Sequence, residues 1–277
     1  MARHTRRAVL GSLAAVGLAG CAGRLGGDGD AERTTETSER TLSTVPETLS
    51  VTNDVGPVSV TGEERSDVQI ELARRGDPAR VERLTFSVQR DGSSVSLVGE
   101  TDNEGLIQND AGLSLAITVR LPTSVAVERV ETVVGDVTVT GVGGSPTVES
   151  TTSELTVRSV DGFVSAKTTT GDVTIRDIGG IDSVAATGGN LALDVPSLRS
   201  DSSVAATAGD VELAVAPELD ATVSADTDTG DVTVTELPLT VTEETVGAEA
   251  SGTLGGDDYR LEVETNAGAI ELRSLSG

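Results

Sequence analysis

Residues 171–193 read GDVTIRDIGGIDSVAATGGNLAL, and the spacing inside this stretch decides the fold. Two short runs, Val173-Thr174-Ile175 and Leu191-Ala192-Leu193, alternate apolar and smaller or polar residues. Each follows a turn pair, Gly171-Asp172 or Gly189-Asn190, and the two pairs are 18 residues apart. Period-two alternation marks a strand with one buried face.

The unit recurs in both directions. Upstream stand Gly135-Asp136-Val137-Thr138-Val139 and Ser153-Glu154-Leu155-Thr156-Val157, again at intervals of 18. Downstream, Gly209-Asp210-Val211-Glu212-Leu213 and Gly230-Asp231-Val232-Thr233-Val234 follow at 20 and 21. Midway through the units a second punctuation, such as Gly143-Gly144, Asp161-Gly162 or Gly179-Gly180, precedes a weaker alternation. Eighteen residues are too few for a strand, a crossover helix and their loops, which together need about 30. The unit predicts an all-β solenoid of 18–21 residues per coil, each strand pairing in parallel with its copy one coil on.

Two interior columns are expected, Val137, Leu155, Val173, Leu191, Val211 and Val232 beside Val139, Val157, Ile175, Leu193, Leu213 and Val234. The return strands bring smaller residues, Val148, Ala166, Val184, Val204 and Ala225. Large side chains facing small ones make a thin core, which suits a chain whose only aromatics are Phe86, Phe163 and Tyr259. The solenoid domain covers residues 47–277 and is most regular over 133–237, with less regular strands flanking it. Its last segments, Tyr259 to Thr265 and Ala269 to Leu272, are expected to close the stack and protect its edge.

This layout resembles the putative-adhesin family, domains of unknown function on bacterial and archaeal surfaces. The resemblance rests on the repeated Thr-X-X-Gly-Asp-Val pattern, as in Thr168-Thr169-Thr170-Gly171-Asp172-Val173, and on the closing Gly255-Gly256…Thr265-Asn266-Ala267-Gly268 segment. It implies a right-handed parallel β-helix, and it brings no established activity and no functional residues.

The N-terminus carries an address. Arg3, Arg6 and Arg7 precede an apolar stretch from Ala8 to Ala19, the basic and apolar parts of a signal peptide. About 12 apolar residues make a helix of roughly 18 Å, short of the roughly 30 Å hydrocarbon core. Thr5-Arg6-Arg7-Ala8-Val9-Leu10 resembles the twin-arginine export motif, and Leu18-Ala19-Gly20-Cys21 resembles a lipobox whose thiol carries the lipid. Residues 1–20 are therefore expected to be removed, and Cys21 to hold the chain on the extracellular face of the membrane. Residues 21–46, rich in Gly, Thr, Ser, Glu and Arg, read as a disordered stalk.

Composition narrows the function. Losing Arg3, Arg6 and Arg7 with the leader moves the formal charge from −25 to −28, which repels nucleic-acid phosphates. Lys167 is the only lysine against 19 arginines, an acidic, lysine-poor balance that resembles proteins of salt-loving archaea. The only histidine is His4 and the only cysteine Cys21, so Ser-His-Asp and Cys-His catalysis, His-ligated zinc and disulfides are excluded by inventory. Adjacent or alternate acids, Asp226 with Asp228 or Asp257 with Asp258, carry little catalytic information among 45 acidic residues.

Stacked coils place Asp136, Glu154, Asp172, Asp210 and Asp231, with Asn190 among them, in a ladder along one edge. Such a ladder can recruit a cation, but Gly followed by Asp or Asn is also what a tight turn needs, and Asn190 keeps the turn without the charge. No cofactor is expected. The leading expectation is a non-enzymatic surface lipoprotein that contacts an envelope or cell-surface partner, with Thr138, Thr156, Thr174 and Thr233 forming outward hydroxyl ladders. A sensory or scaffolding partner of a membrane complex is the alternative, and a carboxylate-dependent polysaccharide enzyme ranks third.

Overall fold

The computed structural model describes residues 33–101, 112–243 and 246–275. The leader, Cys21 and the first part of the expected stalk lie outside the described residues. The chain opens with β1 (Thr34–Leu42), β2 (Thr48–Val55), β3 (Val58–Glu63) and β4 (Val68–Gly76). A single helical turn, α1 (Pro78–Val81), follows, its start capped by the Asp77 carboxylate accepting the Ala79 N–H at 2.8 Å. Then come β5 (Leu84–Asp91), β6 (Ser94–Thr101), β7 (Ser114–Pro122), β8 (Ala126–Val134), β9 (Val137–Thr140) and β10 (Thr147–Thr152). The long strands β11 (Leu155–Thr170) and β12 (Val173–Gly188) precede β13 (Leu191–Val195), β14 (Ser202–Ala208) and β15 (Val211–Val215). The last six are β16 (Ala221–Thr229), β17 (Val232–Thr235), β18 (Thr240–Glu243), β19 (Ala248–Leu254), β20 (Tyr259–Ala267) and β21 (Ile270–Ser274).

These strands form two walls around one buried apolar cluster. The first wall runs β1-β4-β7-β3-β9-β11-β12-β13-β15-β21-β17, antiparallel only at β1–β4 and β4–β7. The second runs β5-β6-β2-β8-β10-β11-β12-β14-β20-β16-β19-β18, antiparallel at β5–β6, β16–β19 and β18–β19. Strands β11 and β12 belong to both walls because they bend midway, where Ser159 and Asp177 adopt φ of 54° and 53°. Gly141 takes the same left-handed bend one coil earlier, at 67°.

The interior columns stack as the 18-residue spacing predicts. Val137 pairs with Leu155, Leu155 with Val173, Val173 with Leu191 and Leu191 with Val211, all essentially inaccessible to solvent. On the facing wall Val130, Val148, Ala166, Val184 and Val204 follow one another in the same way. At the turn between the walls Gly171 has φ of 136°, and a Cβ there would sit 1.8 Å from the Ser153 carbonyl oxygen. Glycine lets successive turns nest one strand spacing apart.

Two expectations need correction, and one further layer lies out of chain order. The closing segment does not close anything: β20 lies between β14 and β16, and β21 between β15 and β17. Leu261, Val263, Ile270 and Leu272 are completely buried, whereas Val234 of β17 is only partly so. The more apolar pair thus takes the interior layer and the weaker pair takes the end, where β19 and β18 extend the second wall beyond β16 and β17 ends the first. At the other end, β2–β3 lies between β6–β7 and β8–β9, again out of chain order. Finally, part of the segment expected to be a disordered stalk is a strand. Residues 34–42 form β1, paired along the whole of β4, because the β4 main chain would otherwise be an open sheet edge. Charged and hydroxyl side chains make β1 a suitable outer strand.

Candidate functional site

The repeated turn is the most chemically loaded feature of the stack. Its acids fall on successive coils, and one oxygen of each of Asp136, Asp172 and Asp210, like that of Asn190, accepts a main-chain N–H. Asp136 Oδ1 accepts the Glu154 N–H at 3.2 Å, and Asp172 Oδ1 accepts the Asn190 N–H at 2.7 Å. Asn190 Oδ1 accepts the Asp210 N–H at 3.0 Å, and Asp210 Oδ1 accepts the Ala269 N–H at 2.9 Å. Each side chain therefore caps the main chain of the next turn, a task for which a carbonyl oxygen and a carboxylate serve equally. Ala269 also separates Asp210 from Asp231, so these two are not neighbours as their sequence spacing suggests. Among the described residues, no group of three or more His, Cys, Asp or Glu side chains is arranged to hold a metal ion.

Inside the same turn runs a polar column that sequence reading missed. Thr132, Thr227 and Thr265 are buried, and their hydroxyls donate to the carbonyls of Gly56, Gly268 and Gly209, each in the neighbouring layer. Asn53 Nδ2 donates to Gly56 O and Leu115 O, both at 2.9 Å. The Thr of the Thr-X-X-Gly-Asp-Val pattern is thus an interior buttress of the turn. Alternation alone could have placed it there, since Thr132 stands two residues after the buried Val130. In the middle coils Ser150, Ser153 and Thr168 have buried hydroxyls without a hydrogen-bond partner.

The outer faces are rows of short side chains. Thr118, Ser59, Thr138, Thr156 and Thr174 are successive neighbours across the first wall. Ala192, Glu212 and Glu271 then interrupt the row, and Thr233 stands isolated at its end rather than continuing it. On the second wall Thr147, Ser165, Ser183 and Ser203 form a similar row.

Aromatic surface is covered by arginine. The Arg199 guanidinium lies 4.6 Å from the Phe163 ring centre, and Arg40 lies 5.2 Å from that of Phe86. Arg199 also binds the Asp182 carboxylate through Nε at 2.8 Å, and that hydrogen bond raises the Arg199 pKa above its ordinary value. The one helix among the described residues is a single turn, and none is long and apolar enough to cross a membrane.

Residues 85–273 match the family model described as Toastrack DUF4097. No curated protein matches the chain. Among solved structures, it is similar to a putative cell adhesion protein from Clostridium sporogenes, with 11% identity over 88% of this chain and 100% of that one, TM-score 0.34. A putative adhesin from Bacteroides fragilis shares 12% identity over 86% and 97%, TM-score 0.36. A putative lipid binding protein from Parabacteroides distasonis shares 12% over 87% and 97%, TM-score 0.39.

Proposed function

The chain belongs to the Toastrack DUF4097 family, and on that premise we propose that it is a non-enzymatic, lipid-anchored surface protein of the adhesin type. The observation that carries this reading is the build of its outer walls. Rows of Thr and Ser stand in register across parallel strands and present short, uniform side chains to solvent. A surface of this kind meets another extended surface through many weak polar contacts rather than by enclosing a small molecule. The inventory points the same way. After the leader there is no histidine and no thiol except Cys21, and the turn acids serve the main chain.

The address at the N-terminus supports the location. Arg6-Arg7 would direct export, Leu18-Ala19-Gly20 would position the cut, and Cys21 would bear the lipid on the extracellular face. The stretch between Cys21 and Thr34 would then hold the solenoid close to the membrane, with β1 as the first strand among the described residues.

Mass spectrometry of the mature N-terminus is expected to find a lipid on Cys21, and Cys21→Ser is expected to shift the protein from the membrane fraction to the medium. An unmodified Cys21 would refute the anchor. A deletion strain is expected to attach less well to surfaces or to other cells. Normal attachment with altered envelope-gene expression would favour a signalling partner instead.

A further inference from the structure

We propose that the C-terminal strand pair β20–β21 is a salt-gated layer of the stack: it is held between β14–β15 and β16–β17 when charge is screened, and expelled when it is not.

The first observation is topological. Residues 202–215 and 221–235 are consecutive units of the repeat, yet β20–β21 stands between them. All three layers share one register. Val204 faces Val263, which faces Ala225; Val211 faces Ile270, which faces Val232. The two outer layers could therefore pair with each other directly, in the register used throughout the stack. Residues 216–220 already link β15 to β16 across two strand spacings, so one spacing is within reach. Only Gly255-Gly256-Asp257-Asp258 ties β20 to β19, with Gly255 in a left-handed turn of φ 59°. The out-of-order pair at the other end, β2–β3, is continuous with paired strands on both sides and has no such freedom.

The second observation is electrostatic. Residues 255–277 carry Asp257, Asp258, Glu262, Glu264 and Glu271 against Arg260 and Arg273, a formal −3. They enter between a layer bearing Asp210 and Glu212 and one bearing Asp226, Asp228 and Asp231, so −3 sits between −2 and −3. Insertion places Glu264 directly beside Asp226, which also flanks Glu249, and places Glu271 directly beside Glu212. Like charges facing each other across a strand pair oppose that pairing. The attractions in the other direction are Arg273 on Glu212, at 3.2 Å, a carboxylate that Arg176 already approaches at 3.6 Å, and the Arg260 and Ala269 N–H groups, which donate to the Asp201 and Asp210 carboxylates at 2.9 Å. With the pair expelled, the outer layers would set Ala205 beside Asp226 and Glu212 beside Thr233, so both new like-charge contacts would vanish, while Asp210 would come beside Asp231, which exchanges two such contacts for one. Salt removes that incentive, because screening weakens exposed charge contacts while leaving the apolar columns of Val263, Ile270 and Leu272 intact.

A cysteine trap reads the two states. Ser203 and Ser224 are now separated by Glu262, two strand spacings or roughly 9.6 Å apart, beyond disulfide reach; after expulsion they would be adjacent. In a full-length Cys21→Ser chain carrying Ser203→Cys and Ser224→Cys, the intramolecular disulfide is expected to form roughly tenfold more in 0.15 M than in 4 M KCl. In the unmodified chain, hydrogen exchange is expected to lose protection over 259–274 in low salt while 202–215 and 221–229 stay protected. Adding Glu264→Gln and Glu271→Gln is expected to restore the high-salt pattern at 0.15 M. Equal crosslinking in both salts, loss of protection over 173–195 together with the tail, or a double glutamine variant that behaves like its parent would each overturn the proposal.

Discussion

At the scale of single residues, the turn decides what each position tolerates. Gly171 holds φ of 136° with no room for a Cβ, whereas Gly188, seventeen residues further on, has an ordinary backbone and open space out to the Thr169 carbonyl at 3.9 Å. Gly171→Ala is therefore expected to lower stability by about 3 kcal/mol or more, and Gly188→Ala to change it by less than about 1 kcal/mol. Equal effects in urea titrations would contradict the nested-turn geometry. The acid beside Gly171 obeys a different rule. Asp172 Oδ1 works as an acceptor for the Asn190 N–H, so Asp172→Asn should be close to neutral, as Asn190 itself illustrates, while Asp172→Ala should lose about 1 kcal/mol. A calcium-dependent melting temperature that disappears in Asp172→Asn would instead establish the ladder as a cation site.

At the scale of elements, the buried polar column makes a paired prediction. The Thr265 hydroxyl donates to Gly209 O at 3.2 Å, but the Thr168 hydroxyl is buried without a partner. Thr265→Val is expected to weaken the fold by about 1 kcal/mol, and Thr168→Val to be neutral or stabilising, since it removes a desolvated group that bonds to nothing. Thermal unfolding of both variants checks the sign. Most of these strands were legible in the sequence because alternation and the turn pair, Gly-Asp or its Ser153-Glu154 and Gly189-Asn190 variants, agree with each other at each 18-residue step. Layer order was not. The coils offer closely similar turns and the same apolar columns, so Val204 can accept Val263 or Ala225 equally well in register, and periodicity alone favours the unit that comes next in the chain. The strand β1 was hidden for a related reason: TTETSERTL has no apolar face, and only the open edge of β4 makes it a strand. The hydroxyl rows were partly legible, since Thr138, Thr156 and Thr174 do adjoin, but the same hidden layer put Glu271 between Glu212 and Thr233.

At the scale of the whole molecule, charge and topology act together. The formal −25 of the chain is distributed unevenly: residues 33–91 carry eight arginines against eleven acids, whereas residues 201–275 carry two arginines against seventeen. The acid excess therefore accumulates on the layers farthest along the stack from β1. Exposed carboxylates on strands about 4.8 Å apart repel over a screening length of about 8 Å at 0.15 M salt, and that length falls to about 3 Å at 1 M. Unfolding spreads these charges out, so low salt favours the unfolded chain and added salt favours the stack. For a chain of this size each kcal/mol moves the melting midpoint by about 2–4 °C. Raising KCl from 0.15 to 4 M is expected to raise the midpoint by roughly 5–10 °C, which corresponds to a few kcal/mol of relieved repulsion. Sorbitol at equal osmolality strengthens apolar burial without screening charge, so it should deliver less than half of that gain. If sorbitol matches KCl, solvent exclusion rather than carboxylate repulsion governs the stability of this solenoid, and the acid-rich end has some purpose other than keeping the protein hydrated in salt.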